Sequence, residues 1–279
     1  MHTKDYTVKS FDGEKLSVRL RFYNEASTVA IVFVHGLGGD QVAWEFTIEH
    51  LLSRLHTTKY LVCTYDLRGH GRSTRSIPTH DHIFVTQAKD LSAVIDLILK
   101  EKKIEEIVLI GHSLGSFAVQ QYTNSFLHPQ VKKIILISAP SRSRGLKLPT
   151  IIARLALHLP WKFFLIRTRE HHTRFIGTGD FHLGRIWSDL QSVGLPFYVA
   201  LETLVFGRSV QKGATSSLPV ETYVIAGERD LYFSSHQMEL FQRGIGAKDF
   251  IVIPGAGHAV PVNNAEYLAK IIASIIEKI

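Results

Sequence analysis

The sequence predicts an α/β protein: one mostly parallel, eight-stranded sheet with helices on both faces and a helical segment inserted into it. Three observations point there. Short β-branched runs alternate with longer amphipathic ones from Thr7 to about Pro140. Between Ser141 and Ser217 the pattern breaks, and Pro149, Pro160, Pro196 and several glycines cut the chain into short apolar helices. From Pro219 the first pattern returns.

Taken in order, Tyr6–Val8 and Leu16–Phe22 flank Asp12-Gly13, a turn pair that favours an antiparallel hairpin. Val29–Val34, Tyr60–Tyr65, Ile107–Ile110 and Lys133–Ser138 are apolar runs of strand length, as expected of parallel strands covered on both faces. Ala43–Leu55, Thr86–Lys102 and Leu114–Phe126 supply the helices between them. After the insertion come strand Val220–Ala226, helix Ser234–Arg243, strand Phe250–Ile253 and helix Pro261–Lys278. The expected division is a core of residues 1–140 and 218–279 and a helical cap of residues 141–217.

With 279 residues, 45% hydrophobic and 20% charged, the chain can bury a large core and is not of disordered composition. It holds no run of about 18 uncharged apolar residues, so no membrane-spanning helix is expected. Met1–Ser10 lacks the apolar stretch of a secretory signal, and the single cysteine, Cys63, forms no intrachain disulfide. A cytoplasmic location is the expectation. The net charge of +7 arises wholly within Ser141–Ser217, where 11 basic residues face 4 acidic ones. No nucleic-acid motif accompanies it, and no nucleic-acid partner is expected.

The strongest local signal is Gly111-His112-Ser113-Leu114-Gly115, lying between the apolar run Ile107–Ile110 and a helix. Glycines on either side of a serine permit a strained strand-to-helix turn that lifts the hydroxyl above the sheet. The helix start aims backbone N–H groups at the same point. Such a serine needs a base, and the base an orienting acid. Gly227-Glu228-Arg229-Asp230 places carboxylates just past one strand, and Gly255-Ala256-Gly257-His258 a histidine just past the next. Loops at the carboxyl ends of parallel strands are where such sheets build their sites. His35-Gly36-Leu37-Gly38-Gly39 ends another strand in a turn that can present the Leu37 N–H to an oxyanion, with the Leu114 N–H as second donor.

Together with Asp66-Leu67-Arg68-Gly69-His70-Gly71-Arg72-Ser73, these segments resemble the α/β-hydrolase fold superfamily, in particular its serine esterases and lipases of the monoacylglycerol lipase kind. The resemblance spans nearly the whole chain outside Ser141–Ser217, where such proteins carry a variable cap. It implies Ser113 as nucleophile, His258 as base, Asp230 as acid, and Leu37 and Leu114 as the oxyanion hole, with no cofactor. One departure is Ser116, where many of these relatives have a second glycine.

Alternatives stand beside each assignment. Glu228 rivals Asp230, and His236 rivals His258 from a helix expected to be exposed. Relatives with an elbow aspartate, such as epoxide hydrolases and haloalkane dehalogenases, are disfavoured by Ser113. His171-His172 lacks partners at ligand spacing, so no metal is expected. His35, His70 and His112 are expected to satisfy local backbone or neighbouring groups, and the Arg68, Arg72 and Arg75 cluster to hold its loop by ion pairs, with Asp66 as a candidate partner. In the cap, Trp161, Phe163, Phe164, Phe197 and Tyr198 are expected to line a pocket for a medium or long acyl chain of a monoacylglycerol-like ester. Flanking cations also allow peripheral contact with an anionic membrane surface. The expected function is hydrolysis of a small-molecule carboxylic ester. The rivals are other chemistry on the same three residues (carbon–carbon bond hydrolysis, thioester cleavage, acyl transfer, perhydrolysis) and a non-catalytic binding or signalling role.

Overall fold

The computed structural model describes residues 1–55, 57–74, 83–139, 168–193 and 217–277. Strands β1 (His2–Lys9) and β2 (Lys15–Phe22) form the expected hairpin, longer than the sequence pattern suggested, paired from His2↔Phe22 to Lys9↔Lys15. Gly13, at φ 86°, takes the left-handed position of its turn. Then follow β3 (Val29–Val34), α1 (Glu45–Leu52), β4 (Tyr60–Tyr65), α2 (Ile83–Glu101), β5 (Glu106–His112), α3 (Leu114–Ser125) and β6 (Val131–Ile137). Two short helices, α4 (Arg169–Thr173) and α5 (Leu183–Val193), lie between β6 and the next strand. The chain closes with β7 (Glu221–Gly227), α6 (Ser235–Ile245), β8 (Asp249–Ile253), α7 (Val260–Asn263) and α8 (Ala265–Ile276).

The eight strands form one sheet in the order β1-β2-β4-β3-β5-β6-β7-β8, antiparallel at β1-β2-β4 and parallel from β4 to β8. Period-two alternation divides the core into two layers. Ala30, Val32 and Val34 face α2, α3 and α6 through Leu91, Ile95, Val119 and Phe241. Ile31 and Phe33 face α1 and α8 through Ile48, Leu51, Leu268 and Ile272. Every residue of β3 and β4 is therefore buried, which explains their unbroken apolar sequence. The predicted helix Pro261–Lys278 is in fact two, α7 and α8, joined through Asn264. Likewise the helix predicted from Ala43 begins as a 3₁₀ turn, Gln41–Trp44, capped by the Asp40 side chain on the Val42 N–H.

Among the described residues no helix is long and apolar enough to cross a membrane. Cys63 is fully buried in β4, and burial pushes its thiol far above the ordinary range, as befits a small core hydrophobe.

Candidate active site

Parallel pairing of β3, β5, β6, β7 and β8 brings their carboxyl ends to one edge of the sheet, and the signalled loops meet there. Ser113 sits between β5 and α3 with φ 51° and ψ −116°, one of two described non-glycine residues at positive φ. Space enforces the flanking glycines. A Cβ on Gly111 would lie 2.7 Å from the Gly115 carbonyl oxygen and the Ser116 backbone. One on Gly115 would lie 2.6 Å from the His35 carbonyl oxygen and closer still to that of Val34. Ser116 fits because its hydroxyl turns back to donate to the Gly111 carbonyl (2.8 Å) or the Ile137 carbonyl (3.1 Å).

His258 reaches Ser113 from the loop after β8. Its Nε2 lies 3.1 Å from Ser113 Oγ and its Nδ1 2.9 Å from Asp230 Oδ2. A carboxylate can only accept, so Nδ1 carries the proton and the Nε2 lone pair faces the serine. The other Asp230 oxygen accepts the N–H groups of Tyr232 (2.9 Å) and Phe233 (3.0 Å). Burial pushes the Asp230 carboxyl up, but the neighbouring His258, its hydrogen bond and these donors outweigh burial and hold it below the ordinary range. Ser138, the second described residue at positive φ, is fully buried. Of the rivals, Glu228 accepts the Gly255 N–H at 2.7 Å instead, and His236 is exposed on α6.

Aromatic rings hold the imidazole. Tyr232 and Phe233 lie 4.7 and 5.5 Å from it, centroid to centroid, and His112 lies 5.0 Å away. His112 Nε2 donates to the His258 carbonyl at 2.8 Å. Burial, reinforced by the neighbouring His258, pushes His112 down to about 3, so it remains neutral at physiological pH. The partner of His112 lies 146 positions away in sequence, a pairing that sequence reasoning did not name. His35 donates from Nδ1 to the Gly36 carbonyl (2.8 Å) and accepts the Leu67 N–H on Nε2 (2.9 Å). His70 similarly ties the Arg68 carbonyl to the Gly38 N–H.

Leu37 lines the cavity beside Ser113, in a Gly36–Gly39 turn closed by a 3.0 Å bond, with Gly38 at φ 72°. Leu114 opens α3 directly after Ser113, where first-turn N–H groups lack acceptors within the helix.

Arg68 departs from expectation. Its guanidinium forks between Asp90 (2.7 and 3.0 Å) and Asp12 (2.5 and 3.0 Å), not Asp66. Asp66 instead accepts the backbone N–H groups of Gln41 and Arg72, each at 2.8 Å. Arg75 lies outside the described residues.

The cavity above Ser113 measures about 130 Å³. Its described lining mixes Phe175, Ile186, Tyr232 and Val262 with His172, Asp180, Arg185 and Asp189. The stretch between β6 and β7 thus brings charge to the cavity lining, which no sequence motif announces. His172 reaches Asp40 at 3.2 Å, and His171 reaches Ser188 at 2.5 Å. Among the described residues no cluster of histidine, cysteine, aspartate or glutamate could hold a metal ion. Trp161, Phe163, Phe164, Phe197 and Tyr198 lie outside the described residues.

The sequence profile of the alpha/beta hydrolase family matches residues 31–271. An uncharacterised protein of Mycobacterium tuberculosis is 32% identical over 142 residues, which cover 50% of this chain and 36% of that protein. The chain thus spans about a third of the length of such curated relatives. Among solved structures, a thermophilic esterase from Thermogutta terrifontis superposes with a TM-score of 0.69 at 19% identity, covering 99% of this chain and 98% of the other. The enol-lactonase from Burkholderia xenovorans superposes at 0.74 and 17% identity, covering 98% and 100%. At these identities the superpositions establish the fold. With the family profile covering most of the sequence, this chain is a member of the alpha/beta hydrolase family of enzymes.

Proposed function

We propose that the chain hydrolyses carboxylic esters through an acyl-enzyme formed on Ser113. The observation that carries this is the run of contacts from Ser113 Oγ to His258 Nε2 (3.1 Å) and from His258 Nδ1 to Asp230 (2.9 Å). His258 takes the hydroxyl proton as Ser113 Oγ attacks the ester carbonyl. The Leu37 and Leu114 N–H groups stabilise the resulting oxyanion. The tetrahedral intermediate collapses, the carbon–oxygen bond to the alcohol breaks, and His258 gives its proton to the departing alkoxide. Water then attacks the acyl-enzyme, passing a proton to His258. Collapse releases the carboxylic acid, and the proton returns to Ser113 Oγ. Asp230 keeps His258 in the productive tautomer throughout.

In this scheme residues 1–140 and 218–279 supply the chemistry, and residues 141–217 cover the substrate. The similar structures include an esterase and an enol-lactonase, in keeping with this reaction, and also an epoxide hydrolase. The finer proposal is a monoacylglycerol-like ester with a medium or long acyl chain, resting on the apolar sequence of Leu148–Ile166. A cavity of about 130 Å³ takes roughly a benzene-sized group, so a long chain must extend beyond the described lining.

Turnover of p-nitrophenyl esters from acetate to palmitate tests both levels. Ser113→Ala is expected to lose roughly 10³-fold or more in kcat. An optimum above about eight carbons supports the lipid-like substrate; an optimum at acetate refutes it. Wild-type protein that cleaves no ester, and whose Ser113 escapes a small serine-directed phosphonate, refutes ester hydrolysis altogether.

A further inference from the structure

The inserted segment touches the loops bearing Asp230 and His258 through one carboxylate. Asp180 Oδ1 accepts the backbone N–H of His258 at 2.7 Å, and Oδ2 accepts that of Leu231, the residue after Asp230, at 3.2 Å. A second observation fits the first. A Cβ built on Gly257 would meet Asp180 Oδ1 at 2.5 Å, and its next nearest atoms, at 3.1 Å, are Cγ and Oδ2 of the same carboxylate. Gly257 is not at positive φ, so its backbone would tolerate alanine. The glycine preceding the histidine makes room for a carboxylate from the insertion.

We propose that Asp180 is a positioning residue for the His258–Asp230 pair, so that the insertion completes the alignment of the reacting groups as well as covering the substrate. The proposal rests on Ser113, His258 and Asp230 being the reacting residues. Acid and base come from separate loops, after β7 and after β8, and their side chains meet at a single contact of 2.9 Å. A planar group that accepts one backbone N–H from each loop restrains the two loops relative to each other. Asp180 does this with charge-assisted bonds, the stronger kind. Without it the imidazole samples orientations out of line with Ser113 Oγ, and misplacement of about 1 Å suffices to slow such a reaction by up to roughly 10²-fold.

Two substitutions test this from opposite sides. Asp180→Ala removes the acceptor, while Gly257→Ala keeps it and displaces it. Each is expected to lower kcat about tenfold or more, and Gly257→Ala, which keeps the Asp180 carboxylate and lies outside the described cavity lining, should leave KM within about twofold. The double variant should be no slower than either single one, since both act through the same contact. Asp180→Asn, which keeps one acceptor, should fall between wild type and Asp180→Ala. The downfield proton resonance of His258 Nδ1–H, assigned by its loss in His258→Ala, should shift or broaden in both single variants. If Asp180→Ala does not fold, Gly257→Ala carries the test alone. An unchanged kcat, a change confined to KM, or additive losses in the double variant would overturn the proposal. Should the wild type cleave no ester, ester hydrolysis fails by itself; the resonance still reports whether Asp180 holds His258, and an unmoved resonance overturns the positioning role.

Discussion

Substituting Gly115 by alanine isolates the contact that seats α3 against the sheet. The new methyl carbon would lie 2.6 Å from the His35 carbonyl oxygen, with the Val34 carbonyl nearer still, whereas ordinary contact begins at about 3.4 Å. Both obstacles are backbone of β3 and the turn after it, so no side chain can swing aside. Clearing the nearer Val34 oxygen requires the helix to withdraw by about 1 Å or more. Ser113 precedes that helix directly, so the same movement takes its 3.1 Å approach to His258 Nε2 to about 4 Å or beyond, past hydrogen-bond range. We expect a stability loss of about 1–3 kcal/mol from overpacking and a fall in kcat/KM of roughly 10²-fold. Urea denaturation followed by circular dichroism, alongside turnover of a p-nitrophenyl ester, measures both. Gly244→Ala is the matched control. That glycine is exposed within α6, and an added methyl group would meet nothing within 4 Å, so alanine there should stabilise by about 0.5–1 kcal/mol. A Gly115→Ala protein with wild-type midpoint and wild-type turnover would refute this account of the elbow.

Burial, with Asp40 nearby, raises Asp66 to about 6 despite the amides that bond it. The folded state therefore holds a proton that the unfolded state releases near pH 4, and stability should decline as pH rises through that window, by about 3 kcal/mol in all. Asp66→Asn should flatten this dependence in urea midpoints taken between pH 4 and 7. Arg68→Met leaves the fully buried Asp90 without its guanidinium and should cost about 3–5 kcal/mol. Replacing Asp90 by leucine as well should recover much of that loss in the same denaturation assay; failure to recover would place the cost in the Asp12 contact.

The strands were legible because burial on both faces leaves unbroken apolar runs such as Ile31–Val34, and the elbow because glycine is required at Gly111 and Gly115 by space alone. Position after a strand end marked the carboxylates of the Gly227–Asp230 turn, but only the resemblance to the hydrolase family preferred Asp230 over Glu228 two residues earlier. The contacts of His172, Asp180 and Ser192 were not legible. Each joins the insertion to a core loop, with partners 132, 78 and 154 positions away, and no local pattern records such a pairing. Arg68 illustrates the same limit: a guanidinium beside Asp66 in sequence spans to Asp90 and Asp12 because α2 and the β1–β2 turn converge there.

The register of the sheet has one more consequence. The turn beginning at Gly36 and the elbow at Ser113 leave neighbouring strands paired at Val34↔Gly111, and the acid and histidine loops leave strands paired at Gly227↔Ile253. Neighbouring strands stand about 4.8 Å apart and advance about 3.3 Å per residue, so the points from which these loops depart are spaced in fixed steps. Such a ladder acts as a ruler: it can be misread by a whole notch but not stretched by a fraction of one. Gradual tuning of the reaction must therefore come from side chains and from the insertion, while inherited changes within the strands either keep the spacing intact or destroy it.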